Sequence, residues 1–306
     1  GNESDFIASF GVPENKEHKT IVNDKVVFTI EDENWFRAIS EMNEWFREGL
    51  IRSTSFTQSQ DSFLANGQDG RYGAFYWWEK ETVVANPDDY IIVQPLKDDD
   101  GNRYVGVSNE LEIEKGECVI LSTCEDPEEL LGYFDKFFEP DYSAQLNYGS
   151  IESGAFLREK VDGKLIPNDD HGEQSADDFR MKNAPYGVVY LTENEWENNV
   201  QMESRAVLRL ERLELYVKPH SYEGARGIPN LNYTEQELKD LNAHESSLGN
   251  NITKWMTNAI IGSSAPTRES WQSFLSENKT AIEQIKAINQ AAYDRYLKAL
   301  QAEESQ

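Results

Sequence analysis

Tyr76, Trp77 and Trp78 stand in a row, and no other run in this 306-residue sequence offers its side chains so directly to chemistry. Flat rings give platforms for the apolar C–H faces of sugars, while a few fixed polar groups read the hydroxyl edges. Asn147, Tyr148 and Glu152, around the turn at Gly149, are the candidate polar groups. The same rings would serve equally well in a core. Extended chain alternates its side chains, so Trp77 and Trp78 face opposite ways and one can be core while the other lines a surface. Both readings stay open at this point.

Other chemistries find less support. The sequence has no Gly-x-Ser-x-Gly elbow, no phosphate-binding Gly-rich loop, no dinucleotide fingerprint and no His-Glu-x-x-His. Its four histidines are scattered. His171 lies among Asp169, Asp170 and Glu173, which reads as an acidic loop before it reads as a metal site, because one His sets no ligand geometry. Residues 97–102 resemble a calcium loop only in their aspartates and read as a solvated turn. Cys118 and Cys124 make neither a disulfide framework nor a metal motif. Paired carboxylates could hydrolyse a glycoside, but 56 acidic residues make any chosen pair uninformative. The expectation is therefore a protein with no catalytic residues, no metal and no cofactor.

Net charge is −27, with a pI near 4.5. Phosphate neutralisation needs stripes of Lys and Arg, so nucleic acid is excluded as a partner, and anionic lipid is disfavoured. No apolar run approaches the ~20 residues of a membrane span.

The elements that must hold the aromatic row are read from pattern. Residues 70–78 and 90–96 are expected to be strands, separated by the turn signal Asn86-Pro87-Asp88-Asp89. Before them come a polar lead-in over 1–25, a strand over 26–30, and a helix capped by Asp32 with Trp35, Ile39, Met42, Phe46 and Leu50 on one stripe. A short helix over 57–66 points Phe63 and Leu64 inward. Strands are expected at 104–107, 118–121 and 188–191. Asp126, Pro127 and Glu129 mark a helix start, and its stripe is Leu130, Phe134 and Phe137. A helix over 141–148 ends at Gly149. Residues 161–184 read mostly as loop, and 200–217 as a charged helix. Thr234 with Glu237 opens a long helix that carries Leu238, Leu241, Leu248, Ile252, Trp255, Met256 and Ile260 inward. A short helix over 268–275 follows, and Thr280 with Glu283 opens the last one. Strands mix with helices early and helices dominate late, which gives an α/β class with a helical tail.

Taken in order, these stretches resemble a known family: the extracellular solute-binding proteins of bacterial ABC importers, family 1, maltose-binding type, in their Firmicutes lipoprotein branch. The string Trp45-Phe46-Arg47-Glu48-Gly49-Leu50-Ile51 resembles the family's LYxEGLI segment. Gly70 through Trp78 resembles its GKxGxFxGW strand. Pro95-Leu96-Lys97 with Asp100-Gly101, Pro127-Glu128 with Phe134 and Phe137, Tyr148-Gly149, Tyr233-Thr234 and Ala292-Tyr293-Asp294-Arg295-Tyr296 continue the series. The resemblance runs from Val26 to Leu300.

It implies a type II periplasmic-binding-protein-like fold, as a C-terminal lobe with a returning first-lobe segment and a helical C-terminal tail. Residues 1–25 would lead in from a missing first lobe, and 26–96 would be α/β second-lobe structure. Residues 103–150 would return to the first lobe, and 151–306 would complete the second. A returning segment without its partner sheet would pack on its own lobe or on another chain. The implied function is non-catalytic binding of a carbohydrate, an oligosaccharide, in an aromatic-lined interlobe cleft. Tyr76, Trp77, Trp78, Asn147, Tyr148 and Glu152 would form the ligand site. Implied partners are the ABC permease subunits and the missing N-terminal lobe. The implied location is extracellular, lipid-anchored in the full-length precursor. Two rivals are kept: a glycoside-active enzyme with paired carboxylates, and an interaction module in which both indoles are fully buried.

Overall fold

The computed structural model describes residues 3–108, 119–172, 174–185 and 191–304. Helix α1 (Glu3–Ala8) precedes an antiparallel hairpin of β1 (Lys19–Val22) and β2 (Lys25–Phe28). Asn23 and Asp24 turn the hairpin with positive φ at both positions, a conformation these two residue types tolerate. The lead-in is thus structured: Phe6, Ile7, Val12 and Ile21 are buried. The expected strand over 26–30 stops at Phe28 and gives way to a 3-10 turn, Thr29–Glu31.

Helix α2 (Glu33–Arg47) starts as read, with the Asp32 carboxylate accepting from the Asn34 N–H at 2.8 Å. Leu50 lies beyond its end and is exposed. Helix α3 (Gln60–Gln68) is capped by Ser59, and α4 (Lys80–Val83) is a single turn. Neither 70–78 nor 90–96 is a strand, because neither finds a backbone ladder partner; Lys97 instead bridges Arg103. The stretches 104–107 and 119–121 are likewise not strands. Cys118 and residues 188–190, expected in strands, lie outside the described residues.

Helix α5 (Pro127–Phe134) opens with Asp126 accepting from the Glu129 N–H at 2.9 Å. A 3-10 turn follows, and then α6 (Pro140–Tyr148), which ends at Gly149 with φ +108°. The loop expected over 161–184 contains α7 (Ala176–Asn183), capped by Ser175. A capping box of Thr192 and Glu195 opens α8 (Glu193–Asn199). The charged stretch becomes α9 (Ser204–Arg212) and a π turn over Leu213–Val217. Strand β3 (Ala225–Arg226) pairs with β1, giving the sheet order β2-β1-β3.

The capping box of Thr234 and Glu237 opens α10 (Glu235–Ile261) as expected, although Leu238 points outward. The two last helices expected are one, α11 (Arg268–Glu304). No Gly or Pro interrupts Ser276-Glu277-Asn278-Lys279, and Asn278 donates to the Phe274 carbonyl within the helix.

Contacts divide the chain into two units. Unit 1 is Gly1–Ile113 with Leu213–Gln306. Its core gathers Ile7, Val12, Ile30, Trp35 and Ile39 with Ile252, Ile260, Trp271 and Ile285 from α10 and α11. Each buried aliphatic side chain there contributes about 1.5–3 kcal/mol. The Trp271 indole N–H donates to the Ile30 carbonyl at 3.0 Å, which satisfies a buried donor. A second cluster of Ile21, Val26, Leu231 and Tyr293 joins the sheet to α11.

Unit 2, Glu114–Arg212, has a smaller core of Ala144, Ala155, Phe156, Leu165 and Val200. Helix α5 buries none of its residues.

Candidate functional site

Phe63 of α3 organises the aromatic stretch in unit 1. Tyr72 stacks on it at 5.1 Å, Trp77 lies tilted at 5.0 Å, and Phe75 meets it edge-on at 6.3 Å. Tyr90 packs on Phe75 and donates its hydroxyl to the Tyr72 carbonyl at 2.6 Å. The Lys80 ammonium donates to the carbonyls of Pro87 and Tyr90. Rings and side-chain hydrogen bonds therefore hold residues 70–96 where a ladder was expected.

From Phe75 to Trp78 the side chains alternate without the strand, although Tyr72 joins Phe75 and Trp77 on Phe63. Phe75 and Trp77 are half-buried against α3, whereas Tyr76 is 50% exposed and Trp78 81% exposed. An indole this open on a packed shelf is an available flat platform. A module with both indoles fully buried is not what the residues form. Partial burial, and after it the Asp5 carboxylate, holds the Tyr76 phenol above its ordinary pKa, so the hydroxyl stays protonated as donor and acceptor.

The polar candidates lie in unit 2. Helix α6 carries Asn147 and Tyr148, and Arg180 of α7 locks both. Its Nε donates to the Asn147 carbonyl at 2.8 Å, its Nη2 donates to Asn147 Oδ1, and its guanidinium lies 4.7 Å over the Tyr148 ring. Tyr148 also packs on Phe156 and Trp196. Burial raises the Tyr148 phenol, and Glu203 adds to this, while Arg180 and Arg209 oppose it without reversing the direction. Tyr148, Phe156, Phe179 and Trp196 line a recess of about 50 Å³ together with Arg180 and Glu203. Glu152 is exposed on the turn that follows Gly149. His171 stacks on Phe179 at 4.5 Å, and Glu173, expected beside it, lies outside the described residues.

Tyr76, Trp77 and Trp78 thus come together in unit 1, and Asn147 and Tyr148 come together in unit 2. Sequence reasoning missed Phe63 as the shelf and Arg180 and Trp196 as supports. Signals for the last two were present: Ser175 stands three residues before Asp178, and Thr192 three before Glu195, both helix-start signatures.

No family model matches the chain. Among curated proteins it is 24% identical, over 97% of its own length, to the fructooligosaccharide ABC transporter substrate-binding protein FusA of Streptococcus pneumoniae serotype 4. The chain spans 56% of the length of that relative. It superposes on the solved structure of S. pneumoniae FusA in complex with kestose with a TM-score of 0.87 and 22% identity, covering 97% of this chain and 61% of that one. A human-milk-oligosaccharide (HMO) binding, ABC-transporter-associated solute-binding protein from Bifidobacterium longum infantis gives a TM-score of 0.72 at 16% identity, covering 95% and 61%.

Proposed function

We propose a function from the premise that this chain is a relative of the ABC-transporter solute-binding proteins and has their fold: it is the sugar-gripping portion of a non-catalytic, carbohydrate-binding importer component. The resemblance carried by its ordered motifs agrees with that kinship. The S. pneumoniae relative is named for fructooligosaccharide and is solved with kestose, which suggests a neutral oligosaccharide as the ligand class here.

Trp78 carries the reading of the site. Its indole is the platform on which a sugar ring stacks, with Tyr76 beside it as a mixed stacker and hydrogen-bonder and Trp77 as the support beneath. Asn147, Tyr148 and Glu152 supply polar contacts, and Arg180 sets the first two in place. Specificity comes from those hydrogen bonds, because an unpaired buried polar group costs about 1–3 kcal/mol. The complete protein would work outside the cell, lipid-anchored, and hand its ligand to permease subunits. None of the described helices is long and apolar enough to cross a membrane.

Calorimetric titration of the complete protein with sucrose, kestose, lactose and maltotriose tests the reading. Saturable heat with at least one sugar, weakened severalfold or more in Trp78→Ala, is the expected result. No heat with any of them, or release of smaller sugars during incubation, would overturn it.

A further inference from the structure

A second cavity lies wholly in unit 1, between two stretches far apart in sequence. Residues 102–104 form one side and residues 219–223 the other. The Val105 N–H donates to the His220 carbonyl at 3.1 Å and joins the two stretches. Between them the Tyr104 and Tyr222 rings pack on each other, 5.0 Å apart at 35°, as an aromatic pair in the lining. Arg103, His220, Asn102 and Glu223 supply the polar lining. The Arg103 guanidinium is tethered to the Pro95 carbonyl, and the Lys97–Arg103 bridge fixes its backbone.

We infer that this cavity is a second carbohydrate site, separate from the Trp78 platform, that takes a neutral sugar ring against the Tyr104–Tyr222 pair. Three observations select that ligand class. The volume is about 500 Å³, inside the range of small-molecule sites. The lining pairs one fixed cation, Arg103, with one anion, Glu223, which matches neither a phosphate nor a cationic ligand. It also mixes donors and acceptors over an aromatic surface, and an apolar ligand would leave those groups unpaired. Burial, and then the neighbouring Tyr104 and Asp32, holds the Tyr222 phenol above its ordinary pKa, so that hydroxyl remains a donor. None of the residues offered for the Trp78 site lines this cavity. The two assignments therefore stand or fall separately.

The test uses the complete protein with fluorine-labelled tyrosine and tryptophan, observed by NMR while sucrose, kestose, lactose or maltotriose is added to its solubility limit. Phe substitutions at 104 and 222 assign the tyrosine signals, and Trp78→Ala assigns the indole. The expected result is a saturable shift of the Tyr104 and Tyr222 signals on a curve of its own that persists in Trp78→Ala. Tyr222→Ser should weaken the Tyr104 response about tenfold, by loss of the ring surface, whereas Tyr222→Phe keeps most of it. Should Tyr222→Ser fail to fold, the exposed Glu223→Ala gives the same readout with a smaller loss. Shifts at Trp78 alone would leave the proposed function standing and refute this site. Tyrosine signals unmoved by every sugar, or moving only in step with Trp78 and lost in Trp78→Ala, would refute it as well.

Discussion

His18 Nδ1 lies 3.2 Å from Glu14 Oε2, with the carboxylate fully buried and the imidazole nearly so. The other Glu14 oxygen accepts from the Asn15 N–H and the Thr29 hydroxyl. The Glu14 backbone carbonyl accepts from the Val107 N–H at 2.7 Å, so the same residue also anchors the stretch on which Tyr104 sits. Burial pushes the imidazole pKa down, but the contact with Glu14, the Glu14 charge and the charge of Glu3 outweigh it and leave the pKa above the ordinary 6.5. A raised folded-state value means that the pair's stabilisation is whole below about pH 6.5 and is lost as pH rises through the folded value. His18→Gln should therefore be destabilised relative to wild type by the largest margin near pH 6, with the margin shrinking toward pH 9. Urea unfolding of both proteins across that window checks it. A margin independent of pH would show that His18 does not titrate against Glu14.

Trp78 and Trp77 separate binding from folding. Trp78→Ala removes an exposed ring and should change unfolding free energy by no more than about 0.5 kcal/mol. The same change should weaken sugar binding severalfold or more. Trp77→Ala removes the ring that lies on Phe63 and should cost about 2 kcal/mol of stability. Paired denaturation and calorimetry on the two variants distinguish these effects. Equal loss of stability in both would mean that Trp78 is packed as Trp77 is.

Helix starts were legible because the signal and its partner lie within one turn. Asp32, Asp126 and Thr234 each cap the N–H two or three residues on, and no distant contact is needed. In the aromatic stretch over 70–96 the opposed facing of Trp77 and Trp78 was legible, but the conformation was not. A strand exists only with a partner strand, and the ring cluster on Phe63 satisfies the same composition without one. Thr280 and Glu283 carry a start signature inside α11, where an unbroken helix overrides it. Arg180 reaches Asn147 across 33 residues, and nothing local to either announces the contact. The tilt of Tyr104 on Tyr222 is of the same kind.

Asn43 offers a third test. Its buried carboxamide nitrogen lies within hydrogen-bond reach of the carbonyls of Ala259, Ile260 and Gly262, at 2.9, 3.1 and 2.9 Å. These carbonyls belong to the last residues of α10 and its C-cap Gly262, where no N–H of the same helix is left to donate to them. Asn43→Ala should cost about 2–3 kcal/mol, since it leaves buried acceptors unsatisfied in the interior of unit 1. Asn43→Asp should cost more, because it puts an acceptor against acceptors. Thermal unfolding measures both. A loss of no more than about 0.5 kcal/mol for either, the size of an ordinary surface change, would mean that water replaces the amide.

Gly67 links the shelf to its support. A Cβ at this position would stand 2.3 Å from the Val83 carbonyl oxygen and 2.7 Å from Val83 Cγ1. The oxygen belongs to backbone, so relief requires α3 and α4 to separate. Helix α3 carries Phe63, on which Tyr72, Phe75 and Trp77 rest, and the Gln68 amide donates to the same Val83 carbonyl. Gly67→Ala should therefore lose about 1–3 kcal/mol, although alanine is the better helix former. It should also weaken sugar binding without touching any residue that contacts the ligand. Trp78→Ala combined with Gly67→Ala should lose no more affinity than Trp78→Ala alone, because both act through one platform. Full additivity in that cycle would show that the α3–α4 contact does not position the indole.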